Sequence, residues 1–304
     1  MSRYEKPALT FEAQADKMSG RGLVADRNSL IARLQTTNHY RLSAYLYTFR
    51  ADHELYRPGT TLDQVFRLYS FDHRLRMLLL DAIEGIEVHI RTQLAYHFAH
   101  AHGPFSYLDP ASFPNFDARR KDFEKWESKL REQTARSRDI KGREDFVIHF
   151  FQKYGDMHQT LPVWMLVELM DFGSTLSFFR GVSMTIRKTV AGSIGQPENV
   201  VLSWLLALNA ILNRCAHHAR LWNWKCGYPV LLPQPNKFPK WHNPRLPNNQ
   251  IGIILAICRY WLNRIHPASQ WSHRALTLFA DFPEIEVSHM GLPANWREHP
   301  LWKD

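Results

Sequence analysis

The stretch Trp204–Trp224, WLLALNAILNRCAHHARLWNW, gathers side chains suited to cutting a phosphodiester without a metal. His217 and His218 can give and take protons near neutral pH, as ribose activation and leaving-group protonation require. Arg214 and Arg220 can offset charge developing on phosphate, and Asn213 can orient either the phosphate or an imidazole. Trp204, Leu208, Ile211, Leu212 and Cys215 recur every three or four residues, which predicts one helix with a core-facing stripe. On such a helix Asn213 and His217 share one neighbourhood, as do Arg214 and His218. His217 is the first catalytic candidate; His218 is the second, or else a hydrogen-bonded support in the core.

Other polar residues carry competing readings. Glu84, Glu87 and Arg91 are spaced i, i+3, i+7, with His97 beyond. They read as an ion-pair network bracing a helix, or with Arg91 turned toward the His217 helix to bind RNA. Glu168, set among apolar neighbours in VWMLVELMDFG, reads as a structural partner for an arginine or a backbone amide. Arg220, Trp222 and Asn223 serve capping and packing or touch substrate. Tyr40, Arg41, Tyr45 and Tyr47 could stack on bases, although a Tyr/Leu stripe at helical spacing reads first as core. Cys215, His217, His218 and Cys226 do not have structural zinc spacing, and adjacent helical histidines diverge by about 100°. No metal or cofactor is expected.

These groups must be positioned by helices. Periodicity and breakers predict helices over Phe11–Ser19, Ser29–Tyr47, Leu62–His102, Phe146–Tyr154, Val163–Arg180, Ile251–Ile265 and Ser269–Phe282. The 41-residue segment from Leu62 opens after Thr61 and closes at Gly103-Pro104. Phe172-Gly173 reads as a helix break. The charged run between Asp117 and Arg143 reads as a solvated helix face ahead of an RNA-contacting arm. Gly227–Gln250 carries six prolines and reads as an extended connector. The Pro-rich tail holds Trp296 and Trp302, which predicts that it packs down.

Composition sets the outer limits. The chain has 304 residues, 45% apolar and 13% aromatic, which excludes disorder and supports a packed interior. A formal charge of +9 favours a polyanionic partner, nucleic acid ahead of membrane. No apolar run of about 18 residues predicts a membrane span. The start, MSRYEKPALTFEAQADK, has no secretion-signal core, and three cysteines lack a disulfide framework. A cytoplasmic location is expected.

Several segments in order resemble one family. KPALTFEAQ with RGL at 21–23, NHYRLSAYLYTF at 38–49 and LYSFDHRLRMLLLDAIEGIEVHIRTQLAY at 68–96 are similar to Abi-like abortive-infection proteins. LPVWMLVELMDFG at 161–173, CAHHARLWN at 215–223 and MGLPANW at 290–296 continue the likeness. The resemblance extends to the wider HEPN group of RNases and RNA-binding helical domains. It implies an all-α fold: a HEPN-like helical bundle with additional N- and C-terminal helices. It further implies one Abi-like domain over 1–304, with an N-terminal part at 1–60, a core at 61–226, the connector at 227–250 and C-terminal helices at 251–304. A homodimer whose active site forms where two motif helices meet is also implied.

The family motif is Arg-Asn-x-Cys-Ala-His-His. Asn213, Cys215, Ala216, His217 and His218 match it, while Leu212 stands where Arg belongs. A leucine cannot stabilise phosphate charge, and loss of one such donor typically lowers rate about 100- to 1000-fold. The resemblance therefore implies a phage-defence endoribonuclease with an attenuated site; the alternatives are a non-catalytic RNA-binding module or a protein-interaction component. RNA, a second copy of the chain, and an RNA or protein antitoxin are the expected partners.

Overall fold

The computed structural model describes residues 3, 5, 7–52 and 54–303; Lys6, the first residue of KPALTFEAQ, lies outside them. Helices α1 (Phe11–Gly20), α2 (Arg27–Thr36) and α3 (His39–Leu46) are followed by a short hairpin, Arg50–Asp52 paired with Leu55–Tyr56. Then come α4 (Leu62–His102), α5 (Asp122–Arg138), α6 (Asp145–Tyr154), α7 (Val163–Leu166), α8 (Phe172–Gly181) and α9 (Met184–Gly192). The chain finishes with α10 (Glu198–Ala216), α11 (Ile251–Ile265) and α12 (Trp271–Asp281). The fold is all-α.

α4 is the axis of the molecule. Its 41 residues span about 60 Å. A capping box starts it: Gln64 N–H donates to Thr61 Oγ1 at 3.2 Å, and Thr61 N–H donates to Gln64 Oε1 at 3.0 Å. Gly103, at φ 95°, stops it. The stripe from Val65 through Phe71, Leu75, Leu79, Ile83, Ile86, Ile90, Leu94 and Phe98 is buried. α3, α7 to α10, α11 and α12 all pack on α4, so the apolar face is covered along its length. α11 is buried on every side from Ile251 to Arg259, as expected of a helix inside a core.

Local capping divides two helices that periodicity had joined. Asn38 accepts from Tyr40 N–H at 2.7 Å and starts α3, which splits the expected Ser29–Tyr47 helix. Asp171 accepts from Ser174 N–H at 2.8 Å and starts α8, so the break precedes Phe172-Gly173 and the Val163–Arg180 segment is two helices. The charged run forms α5, with Trp126 and Leu130 inward and the i,i+4 pairs Glu127–Arg131 and Glu132–Arg136 outward. Gly227–Gln250 contains no α-helix, yet it carries Trp241 into the core. Trp296 and Trp302 are buried, so the tail packs down.

One expectation about membranes needs correction. α10 is long and apolar enough to cross a bilayer, with mean hydropathy 1.3 over its best 18 residues. Its inner side packs against α4, α8, α9 and α11.

Candidate functional site: a histidine turn clasped by arginines and a buried aspartate

The residues that could do chemistry sit where α10 ends. The helix stops at Ala216, so the single helix expected to reach Trp224 does not form. His218 N–H donates to Cys215 O at 3.0 Å, and Ala219 N–H donates to Arg214 O at 2.9 Å. This is a Schellman closure, with His218 in the left-handed conformation at φ 54°. Glycine is the usual residue there, but histidine is among the side chains that enter that region most readily.

The closure rearranges the candidates. His217, at φ −85° and ψ 10°, stays close to helical geometry, and its N–H donates to Asn213 O at 3.0 Å. Asn213 and His217 therefore still share a face. Arg214 and His218 do not, because His218 lies beyond the helical path. Asn213, His217 and His218 are exposed. Leu212, at the position of the missing arginine, is half-buried against the core.

A buried carboxylate holds the segment that follows. Asp72 of α4 is fully buried, and its Oδ1 accepts from Leu221 N–H at 3.0 Å and Trp222 N–H at 2.6 Å. Its Oδ2 accepts from the Tyr45 hydroxyl at 2.6 Å and from Arg76, four residues on along α4. Arg76 also lies 3.5 Å from Ala219 O. A buried carboxylate is sustainable only when its charge and lone pairs are met, and here four donors meet them. Burial and then the Asp72 charge raise the Tyr45 pKa, which keeps its hydroxyl protonated as a donor.

Two more arginines grip the turn by its carbonyls, and a third ties it to α3. Arg41 of α3 donates to His218 O at 2.7 Å, and Arg214 donates to Arg220 O at 2.7 Å. Arg220 donates to Ala44 O, and Arg214 also lies over the Trp224 ring at 4.8 Å. None of the three is ion-paired among the described residues. Carbonyls accept from all three without neutralising their charge, although the buried Arg214 Nε has no hydrogen-bond partner, so the surface around the imidazoles is cationic.

The remaining candidates lie elsewhere. Arg91 donates to Glu87 and to Met170 O, and approaches Thr175 Oγ1 at 3.4 Å; none of these partners belongs to the histidine turn. Those contacts are a brace between α4 and the start of α8; burial raises the Glu87 pKa even beside Arg91. Glu84 is exposed on α4. Glu168 is exposed, so it is not the buried acid that its apolar neighbours suggested; Asp72 is. Trp222 is 3% exposed, with its indole N–H buried and lacking a hydrogen-bond partner. Tyr45 is buried, whereas Tyr40 is 85% exposed beside Arg41.

Burial pushes the Cys215 thiol up to about 12 and Cys226 up to about 11, so both pack as neutral apolar groups. No three His, Cys, Asp or Glu side chains among the described residues converge to hold a metal.

Sequence reasoning did not assign Asp72, Arg76 and Arg41 to this site. One local signal was available: Asp72 falls on the α4 stripe between Leu68 and Leu75, where an unpartnered acid is costly.

No curated protein and no solved structure matches the chain. A model of the Abi-like protein family matches residues 32–223, from α2 through the histidine turn, leaving the segments at 7–23 and 290–296 outside. That stretch is more than half of the chain and contains α3, α4, α10 and the turn they clasp. The chain therefore belongs to the Abi-like family, whose function is associated with abortive infection and phage defence.

Proposed function

We propose that this protein is a HEPN-type phage-defence protein that acts on RNA through the His217–His218 turn. The observation that carries the reading is the pair of exposed imidazoles on a turn held from behind by Arg41 and Arg214, neither of them ion-paired among the described residues. A polyanion is drawn to such a surface, and a rigid turn lowers the entropy lost in positioning a proton-transfer group. In the chemistry, a ribose 2′-oxygen attacks the adjacent phosphorus and the 5′-oxygen bond breaks. One histidine takes the 2′ proton and another gives a proton to the 5′-oxygen, leaving a 2′,3′-cyclic phosphate. Asn213, on the His217 face, orients the phosphate or the ring. Arg214 and Arg220 hold the positive field, and Arg41 joins them.

The protein works in the cytoplasm as a homodimer. The outward side of α10, where Leu206 is 48% exposed ahead of Asn213 and Ala216, is the seam that a second copy would cover. An RNA or protein antitoxin would restrain it by covering the same turn.

A second reading, a non-catalytic RNA-binding module, is favoured by one observation. Leu212 packs against the core where the family motif has arginine, so the position contributes no charge. Transfer RNA or total RNA incubated with the protein in EDTA, alongside His217→Ala, separates the two. Cleavage by the wild type and not the variant supports the nuclease. Retardation by both, steeply dependent on salt and without cleavage, supports the binding module. RNA ignored by both would overturn both readings.

A further inference from the structure

A cavity of about 450 Å³ lies between the Pro-rich connector, α11 and the C-terminal tail, outside the part of the chain that matches the family. The exposed charges that line it are of one sign: Lys237, Lys240, Arg264 and Lys303, with no carboxylate among the described residues that line it. Lys237, Lys240, Arg264 and Lys303 are exposed, so their charges face solvent at the rim. Arg259 is 7% exposed and donates to Leu301 O at 2.7 Å, which fixes the tail as the cavity's third wall. Arg264 Cζ lies over the Tyr260 ring, 3.6 Å from its centroid, and the side chain is exposed to a planar group from solvent. Trp241 forms part of the apolar floor.

Like charges brought together repel one another, and their field is relieved when an anion enters. The volume lies within the range of small-molecule sites, and several flexible ammonium groups at one rim suit adjacent phosphoryl groups. We propose that this cavity binds the polyphosphate of a nucleotide, with the phosphates on Lys237, Lys240 and Lys303 and the base stacked on the Arg264 guanidinium. This goes beyond the RNA-cleaving reading and rests on different residues. The floor adjoins the motif helix: Trp204 of α10 packs on Trp241 and Tyr260, with ring centroids 5.1 and 5.6 Å apart. Binding should therefore be visible in tryptophan emission.

The test titrates the full-length protein with ATP and, separately, with inorganic pyrophosphate, following tryptophan fluorescence and thermal midpoint. Saturable binding below about 1 mM is expected. The rim variant Lys237→Glu/Lys240→Glu should weaken it at least about tenfold, because each reversal replaces attraction with repulsion. Both residues are exposed, and unchanged circular dichroism checks that the variant folds. His217→Ala should bind as the wild type does, so loss of nuclease activity and loss of this site are read separately. A short 5′-triphosphorylated RNA and a 5′-hydroxyl RNA, each competed against ATP, distinguish an RNA end from a free nucleotide as the source. The proposal is overturned if neither ATP nor pyrophosphate saturates, if the double reversal leaves binding unchanged, or if His217→Ala abolishes it.

Discussion

The sharpest test of the site's architecture is Asp72→Asn. The substitution keeps an oxygen for the Leu221 and Trp222 amides but removes the charge opposite Arg76, whose side chain is 4% exposed. An arginine left unpaired at that depth destabilises by about 3–5 kcal/mol. Typical domain stabilities are about 5–15 kcal/mol, so this single change should remove a large fraction of the total. At about 2–4 °C per kcal/mol for larger domains, the thermal midpoint should fall by roughly 10 °C. Asp72→Ala should be worse, because it also orphans two buried amides at about 1–3 kcal/mol each.

Urea unfolding followed by far-ultraviolet circular dichroism gives the loss, and trypsin cleavage after Arg220 under native conditions reports the loosened turn. The double variant Asp72→Asn/Arg76→Met separates charge from shape. With both charges gone it should be more stable than Asp72→Asn alone, since the isolated buried cation is the main penalty. An Asp72→Asn protein within about 1 kcal/mol of wild type would refute the clasp, as would additive losses in the double variant.

Three further outcomes follow from the same geometry. Leu212→Arg restores the family motif and should raise RNA cleavage by about 100-fold or more at some loss of stability, measured on transfer RNA in EDTA; no gain would remove position 212 from the chemistry. His218→Gly should stabilise by about 0.5–1 kcal/mol in urea, because glycine adopts φ 54° without a Cβ penalty, while His218→Val should destabilise. His89 has its pKa lowered to about 4 by burial and then by His266; its Nδ1 accepts from Trp261 and its Nε2 faces Ser193. The unfolded chain takes up this proton first, so stability is full above about pH 6.5 and falls as pH drops toward about 4. The loss should be on the order of 2 kcal/mol once solvent screening is allowed for, and His89→Gln should flatten that part of the curve.

What could be read from sequence and what could not divide along a physical line. α4 was legible to the residue because its period is long and both ends carry local punctuation, Thr61 with Gln64 and then Gly103. The ends that were misread are closed by side chains with several roles. Asn38 caps α3 from within the polar run QTTNHY, Asp171 caps α8 from within an apolar stretch, and His218 fills a position where glycine would have announced the stop. The clasp was harder still, because its members are distant in the chain: Asp72 meets Leu221 across 149 positions and Arg41 meets His218 across 177. An Asp–Arg pair at i,i+4 in FDHRLR reads as an ordinary surface pair until its place on the buried stripe is weighed.

This bears directly on the missing motif arginine. Because α10 ends in a Schellman turn, Arg214 is directed to Arg220 O and the Trp224 ring, and it does not stand in for position 212 along the same helix. A cation that compensates for Leu212 must come from another element. Arg41 is the cation from another element that stands nearest in the hydrogen-bond network, since it reaches the His218 carbonyl at 2.7 Å from α3, but that bond to a backbone carbonyl does not supply the charge that Leu212 lacks. The site is therefore better understood as a junction of α3, α4 and α10 than as a motif carried by one helix.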